Sequence, residues 1–235
     1  MYKIKQIMPS LYHFEFKRKH DLFLSVMKCQ EFYECQDKKI KGKKFTLEDV
    51  IVAYSNLNEH GDFSYFQDFS AFNFPDVAVK KYLKLNSDTL LEREKIVLGH
   101  MMKLIGEDDL TPTPKVYFIA TYTNENPDSK KDVKHEIAHG LYYTQSMYRR
   151  VMDELLWSKR ELLEKIYIKL HDMMYCDDVL PDEAQAYLST STLKELYEFG
   201  FPKCITEKDL IPFKEAYNSF AGHIKQKRKR RYRNM

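Results

Sequence analysis

Two stretches of the chain carry residue patterns that predict β-strands. Residues 11–16 (Leu-Tyr-His-Phe-Glu-Phe) alternate in character, as the two faces of a half-buried strand require. Residues 116–122 (Val-Tyr-Phe-Ile-Ala-Thr-Tyr) form a run of aromatic and β-branched residues, which favours a buried strand. A short turn then leads to the segment around His135, so we expect a small sheet before that segment.

Apolar residues recur at helical spacing over much of the remaining chain. Leu155, Leu162, Ile166 and Leu170 form an apolar stripe of this kind. The helices predicted are 21–35, 47–58, 76–83, 90–105, 147–175, 181–188, 193–199 and 212–223, together with one around His135. Thr46 and Asp49 resemble a capping box at the start of the second. The pattern therefore predicts an α+β fold that is predominantly helical.

Residues 61–75 interrupt these patterns with a dense aromatic segment, which we predict to be a loop. Its rings can plug a core between elements or line a substrate groove. The run Thr111-Pro112-Thr113-Pro114 breaks the chain again. We therefore predict an N-terminal helical and aromatic region of unknown role (1–110), a metal-binding region (111–224) and a basic tail (225–235), all within one compact unit.

Composition excludes several classes of protein. Hydrophobic residues make up 43% and aromatic residues 14% of the chain, and there are only 7 glycines, which argues against a disordered or repeat protein. The net charge of +3 is small, and much of the basic excess lies in residues 225–233. The body of the chain is therefore near neutral, and charge alone does not predict a nucleic-acid binder. The basic tail could still contact phosphates, although such tails are usually solvated.

Cysteine usage and hydropathy indicate the compartment. The cysteines, which form no C-x-x-C pair, are Cys29, Cys35, Cys176 and Cys204. No N-terminal apolar segment is present, and no run approaches the roughly 18 apolar residues of a membrane span. We therefore expect a cytoplasmic protein with reduced thiols and no membrane partner.

The motif that carries chemistry is His-Glu-x-x-His, at His135-Glu136-Ile137-Ala138-His139. Side chains four positions apart on a helix share one face, so the two imidazoles can bind the same ion. Two histidines, a third protein ligand and a water form the usual catalytic Zn²⁺ site. Glu136 would serve as general base towards the water that the zinc activates.

The alternative is a pair of structural histidines with ordinary partners, because a motif this short also arises by chance. Its surroundings favour metal binding. Ile137, Ala138 and Leu141 are apolar, so the helix is expected to be buried on several sides. Two histidines and a glutamate would be costly there without a partner, and a cation supplies one.

A third ligand must come from elsewhere, since no His-x-x-Gly-x-x-His continuation follows His139. The candidates are Glu154, Glu161, Glu164 and Glu183, with Asp153 and His171 as less favoured alternatives. Glu183 lies in the first turn of a predicted helix. The small residues Ala184 and Ala186 follow it, and the apolar Leu180 and Leu188 suggest that it is buried. Small neighbours permit close approach, and a buried carboxylate requires a cation, so we favour Glu183.

The motif and the later run Asp182-Glu183-Ala184-Gln185-Ala186-Tyr187 resemble the gluzincin branch of the zincin metallopeptidases. The chain is also similar to small cytosolic zincin domains of bacteria and phages. The resemblance covers residues 116–188, roughly a third of the chain. It implies a zincin-like core, with His135, His139 and Glu183 as zinc ligands and Glu136 as general base. In such peptidases the strand before the metal helix often borders the cleft and pairs with the substrate backbone, and the alternative for residues 116–122 is an ordinary sheet strand.

This chain departs from the gluzincin pattern in two places. The gap between His139 and Glu183 is longer than in thermolysin-like enzymes. The position four after the metal glutamate, which often holds an aspartate that orients a ligand histidine, is Tyr187. Tyr143 and Tyr187 each share a helix face with a predicted ligand, so either can stabilise an oxyanion, orient a ligand or simply pack.

Two functions remain open at this point. The first is a zinc-dependent metallopeptidase acting on a peptide or protein substrate. The second is a catalytically silent zincin-fold module that binds a protein or a nucleic acid.

Overall fold

The computed structural model describes residues 2–58, 60–106, 115–124 and 126–233, with side chains up to residue 222. In this part of the chain there are eleven α-helices and four β-strands, with the sheet preceding the helix that carries His135 and His139. The predicted α+β, predominantly helical fold is confirmed. The chain divides into two compact units, Met1–Val133 (the first unit) and Lys134–Met235 (the second unit).

The sheet belongs to the first unit and consists of β1 (Tyr2–Met8), β2 (Leu11–Phe16), β3 (Ala71–Pro75) and β4 (Tyr117–Tyr122), in the order β1-β2-β4-β3. β2 and β4 are parallel, and the other pairs are antiparallel. β4 is paired along both edges, and all six of its residues are buried. It offers no free edge, so the expectation that this strand pairs with a substrate backbone is wrong and it is an ordinary sheet strand.

The aromatic segment forms more than a loop. It contains a short helix, α3 (Tyr65–Asp68), followed by β3. The rings of Tyr65 and Phe72 are fully buried, and both pack edge-on against Phe23. The core-filling alternative therefore describes these rings, because aromatic side chains at this density bury a large apolar area between elements.

The remaining helices of the first unit lie close to their predicted positions: α1 (Lys19–Glu34), α2 (Leu47–Leu57), α4 (Asp76–Asn86) and α5 (Glu92–Ile105). The Thr46 capping box is confirmed. The Thr46 backbone N–H donates to Asp49 Oδ2 at 2.7 Å, and Asp49 N–H donates to Thr46 Oγ1 at 3.2 Å. The predicted break at residues 111–114 lies outside the described residues.

The later helices are α6 (Ser129–Thr144), α7 (Ser146–Trp157), α8 (Arg160–Asp172), α9 (Leu180–Thr190), α10 (Leu193–Glu198) and α11 (Glu207–Arg233). The single helix predicted over 147–175 is wrong, because it breaks at Ser158 and Lys159. The Ser158 hydroxyl donates to Leu155 O at 2.7 Å, which replaces the regular backbone pattern at that turn.

The helices also bear on two earlier expectations, the absence of a membrane span and the basic tail. None of the described helices is long and apolar enough to cross a membrane. The backbone of α11 continues to Arg233, whereas the side chains of the predicted basic tail lie outside the described residues.

Candidate metal centre

His135 and His139 lie on one face of α6, as their spacing predicts. Their Nε2 atoms are 3.2 Å apart, and their ring centroids are 4.9 Å apart. His139 is almost completely buried, with 1% of its side chain exposed, whereas His135 retains 19%. In a neutral imidazole one ring nitrogen carries the hydrogen and the other accepts, so two Nε2 atoms at this distance either share one N–H or hold a cation between them.

Glu183 reaches the two imidazoles from the first turn of α9. Its Oε1 is 3.6 Å from His139 Nε2, and its Oε2 is 3.7 Å from His135 Nε2. Ala184 and Ala186 are fully buried beside it, as expected for a close approach. Among the described residues, these three are the one group of three His, Cys, Asp or Glu side chains whose donor atoms converge within 4.8 Å.

The spacing of these donors fits a tetrahedral ion. With ligand bonds of about 2.0–2.1 Å, the edge of a zinc tetrahedron is about 3.3 Å. The two Nε2 atoms are 3.2 Å apart, which is close to that value, and each has one Glu183 oxygen nearby, Oε1 at 3.6 Å from His139 and Oε2 at 3.7 Å from His135. Glu183 is 2% exposed, and its buried Oε2 receives no hydrogen bond from the described residues. A carboxylate oxygen so placed requires a cation, and His135, His139 and Glu183 could hold one.

Contacts on the far sides of the rings set the direction in which each histidine binds. His139 Nδ1 lies 2.9 Å from Asp182 Oδ1, at ion-pair distance although not aligned as a hydrogen bond, and the charge of this carboxylate favours a proton on Nδ1. His135 Nδ1 lies 3.3 Å from Thr190 Oγ1. The Thr190 hydroxyl donates to Ala186 O at 2.6 Å, so its oxygen accepts from His135. Both Nε2 atoms therefore point towards Glu183.

Asp182 is itself held by a second layer of hydrogen bonds. Gln185 Nε2 donates to Asp182 Oδ1 at 2.9 Å, and the Tyr148 hydroxyl donates to Gln185 Oε1, also at 2.9 Å. Both Gln185 and Tyr148 are fully buried. The tyrosine hydroxyl fixes the orientation of the Gln185 side-chain amide, which in turn holds the Asp182 carboxylate next to His139. We call the chain Tyr148–Gln185–Asp182 the relay.

The electrostatics of the group favour a positive charge. Burial alone would lower the pKa of His139, but the carboxylates of Asp182, Glu183 and Glu136 outweigh it and raise the pKa well above its usual range. Three carboxylates face two imidazoles, so the group takes up a proton when no metal is bound. A divalent cation would neutralise it more fully.

The structure places the other predicted site residues as follows. Glu136 is 5% exposed on α6, and its charge contributes to the raised pKa of His139. The ring of Tyr187 lies edge-on against His135, with centroids 4.6 Å apart. Tyr143 is half-buried on α6. The catalytic role of Glu136 and the oxyanion or orienting roles of the two tyrosines stay predictions.

The alternative third ligands, Glu154, Glu161, Glu164, Asp153 and His171, do not join this group. Arg150 pairs with Glu154 at 2.9 Å, and Arg160 pairs with Glu164 at 3.6 Å, both at the surface. His171 lies 3.0 Å from Asp177. Ordinary ion pairs therefore account for Glu154 and Glu164, and His171 has an aspartate contact of its own.

Sequence reasoning did not find Asp182, Thr190, Gln185 or Tyr148. The gluzincin pattern places the orienting aspartate four residues after the metal glutamate, whereas here the residue directly before it contacts His139. The acidic pair at 182–183 is a visible signal, but acids in the first turn of a helix are common for a different reason, the helix dipole.

A comparison of the chain with protein-family models, with curated proteins and with solved structures found no match.

Proposed function

We propose that this chain is a zinc-dependent metallopeptidase of gluzincin type, with His135, His139 and Glu183 as ligands. The observation that supports it is the convergence within 4.8 Å of one buried carboxylate and two Nε2 atoms, which are themselves 3.2 Å apart. Three protein ligands are the number found in catalytic zinc sites, in which the fourth position stays open.

The donor set suits zinc. Two imidazoles and one carboxylate are a common catalytic combination, whereas magnesium and calcium prefer oxygen donors alone. Bound zinc would polarise a carbonyl and lower the pKa of a water molecule to about 7.

Glu136 supplies the acid–base chemistry in this proposal. It follows His135 directly, and its carboxylate is buried close enough to the ligand pair to act on the charge of His139. Glu136 accepts a proton from the attacking water while the oxygen of that water bonds to the peptide carbonyl carbon. It then returns that proton to the amine nitrogen as the C–N bond breaks.

The first experiment measures metal and turnover in the same preparations. Protein purified without chelator is expected to contain about one zinc ion per chain. It is incubated with a proteome-derived peptide library, and new termini are identified by mass spectrometry. Glu136→Gln is expected to retain zinc and lose cleavage by at least about 100-fold, because general-base catalysis contributes that much. Glu154→Gln is the matched control, because Glu154 is exposed and pairs with Arg150. This variant is expected to keep both zinc and cleavage.

The outcomes separate the two functions. Glu136→Gln with wild-type turnover overturns the mechanism. A chain that takes up no zinc overturns the metal site. A zinc-loaded wild-type chain that cleaves nothing in the library overturns the peptidase and favours the silent binding module.

A further inference from the structure

The three ligands are not equally exposed, and this indicates the side from which a molecule reaches the metal. His139 and Glu183 have 1% and 2% of their side chains exposed, whereas His135 has 19%. A molecule that donates a polar group to the metal therefore approaches over His135.

Aromatic rings pack next to this partly exposed histidine. Tyr187, half-buried, packs edge-on against the His135 ring, with centroids 4.6 Å apart at 62°. Phe199 packs edge-on against Tyr187 at 5.9 Å and is 49% exposed. From the metal ligand outwards, His135, Tyr187 and Phe199 form a continuous aromatic surface.

The turn after α10 holds Phe199 in this position. Gly200 adopts φ +81°, its N–H donates to Tyr197 O at 3.1 Å, and Phe201 N–H donates to Leu196 O at 2.9 Å. These two bonds form a Schellman motif, which ends a helix with a fixed geometry. Phe201 is consequently 2% exposed and packs against Tyr187, while Phe199 stays at the surface. A large apolar ring is thus exposed on a turn of fixed geometry, next to the Tyr187 ring that packs against His135.

We propose that Tyr187 and Phe199 form an apolar subsite, which takes a hydrocarbon or aromatic side chain of the molecule whose polar group binds the metal. This inference rests on the proposed function, because it assumes that a metal occupies the centre. It adds the substrate class: peptides with a large apolar residue next to the scissile bond. Burial of a phenyl group against the two rings supplies the preference.

Two metal-binding probes test the subsite without any turnover. Acetohydroxamate and benzohydroxamate carry the same chelating group and differ in a methyl or a phenyl substituent. Calorimetric titration of the zinc-loaded protein is expected to show benzohydroxamate binding at least about tenfold more tightly. In Phe199→Ala this preference is expected to fall several-fold, with a much larger loss for the phenyl probe than for the methyl probe. Trp157→Ala removes an aromatic ring that is 73% exposed on α7 and is expected to keep the wild-type preference.

The failures of this inference and of the proposed function differ in these data. A zinc-loaded chain that binds both probes equally, or a Phe199→Ala variant that keeps the preference, overturns the subsite alone. A chain that takes up no zinc overturns the metal centre and the subsite together. The thermal unfolding of Phe199→Ala should match wild type, since the side chain it removes is half exposed.

Discussion

Two buried groups of charged side chains, one in each unit, are organised in opposite ways. In the first unit, Lys28 and Glu94 are each 1% exposed and lie 3.4 Å apart. The lysine donates to Thr89 O at 2.7 Å, and Glu94 accepts from the Tyr82 hydroxyl at 2.9 Å and from Leu91 N–H at 2.8 Å. Every charge in this group is balanced by another group of the protein.

In the second unit, the charges do not balance. Glu183 Oε2 is buried without a donor from the described residues, and the two imidazoles turn their Nε2 atoms towards each other and towards Glu183. The first group is complete within the protein, so removing either partner would leave an uncompensated buried charge. The second could be balanced by a cation from outside the chain. Burial of charge alone therefore does not indicate a binding site, whereas burial without an internal counter-charge indicates a candidate site.

Removing Glu94 should have the largest effect on stability. Glu94→Gln leaves Lys28 buried without a counter-charge, and we expect the free energy of unfolding to fall by about 3–5 kcal/mol, measured by urea titration. Tyr82→Phe removes only one hydrogen bond to Glu94, and its loss should be about 1 kcal/mol. Glu92→Gln, on the same helix with 83% of its side chain exposed, should stay within about 0.5 kcal/mol of wild type. Zinc content should not change in any of the three, and a Glu94→Gln variant as stable as wild type would contradict the comparison.

Glu183→Gln should give the opposite pattern. Zinc affinity, measured by competition with a chelating dye, should fall by more than about 100-fold, because even outer partners of metal ligands contribute 10–100-fold. In chelator-treated protein, however, the free energy of unfolding should change by no more than about 1 kcal/mol, because Asp182 and Glu136 still face the shared proton. A large loss of stability in the metal-free state would make Glu183 a structural residue like Glu94.

Buried histidines of the two units also differ. His13 Nε2 is 2.8 Å from Thr121 Oγ1, and burial, opposed by Glu15 and assisted by Lys5, lowers the pKa of His13 from 6.5 to about 4. The folded state is thus fully stable above pH 6.5, where His13 is neutral in both states, and loses stability as the pH falls towards 4. Between pH 7 and pH 5 this loss should amount to about 2 kcal/mol.

The measurement is urea unfolding at a series of pH values. His13→Gln should remove most of this pH dependence, because it leaves no group there to protonate. His20→Gln is the control, and it should keep the pH dependence because His20 is exposed. If wild type and His13→Gln have the same slope, the burial of His13 does not control acid sensitivity. His139 differs because carboxylates raise its pKa.

How much the sequence predicts depends on the range of the interactions. The His135–His139 pair depends on helical spacing alone, and the Thr46 cap on four consecutive residues, so both were predictable. Glu183 was predictable from its small neighbours and from the charge requirement of two buried histidines. The strands β1 and β3 were missed because neither has a strong local pattern. β1 is an edge strand with exposed lysines, and β3 is short and contains a buried Asn73, whose partners Gln30 and Tyr117 are distant in sequence.

The relay from Tyr148 to His139 was missed for the same reason, since it depends on how α7 packs against α9. It also gives the smallest of the predicted effects. Tyr148→Phe removes the hydroxyl that orients Gln185 but keeps the ring that packs against Phe220 at 5.3 Å. Asp182 is then held less firmly, and zinc affinity should fall by about tenfold. The absorption spectrum of the cobalt-substituted protein should shift as well, because the orientation of His139 changes.

The control for this last variant is Tyr197→Phe, whose hydroxyl donates to Ile205 O at 2.6 Å, outside the relay. It should lower thermal stability without changing the zinc affinity or the cobalt spectrum. A Tyr148→Phe protein with the same spectrum and affinity as Tyr197→Phe would mean that the relay only stabilises the fold. The contacts of Tyr148, Gln185 and Asp182 would then be structural, like those of Lys28 and Glu94 in the first unit. The difference between the two units would be confined to His135, His139 and Glu183.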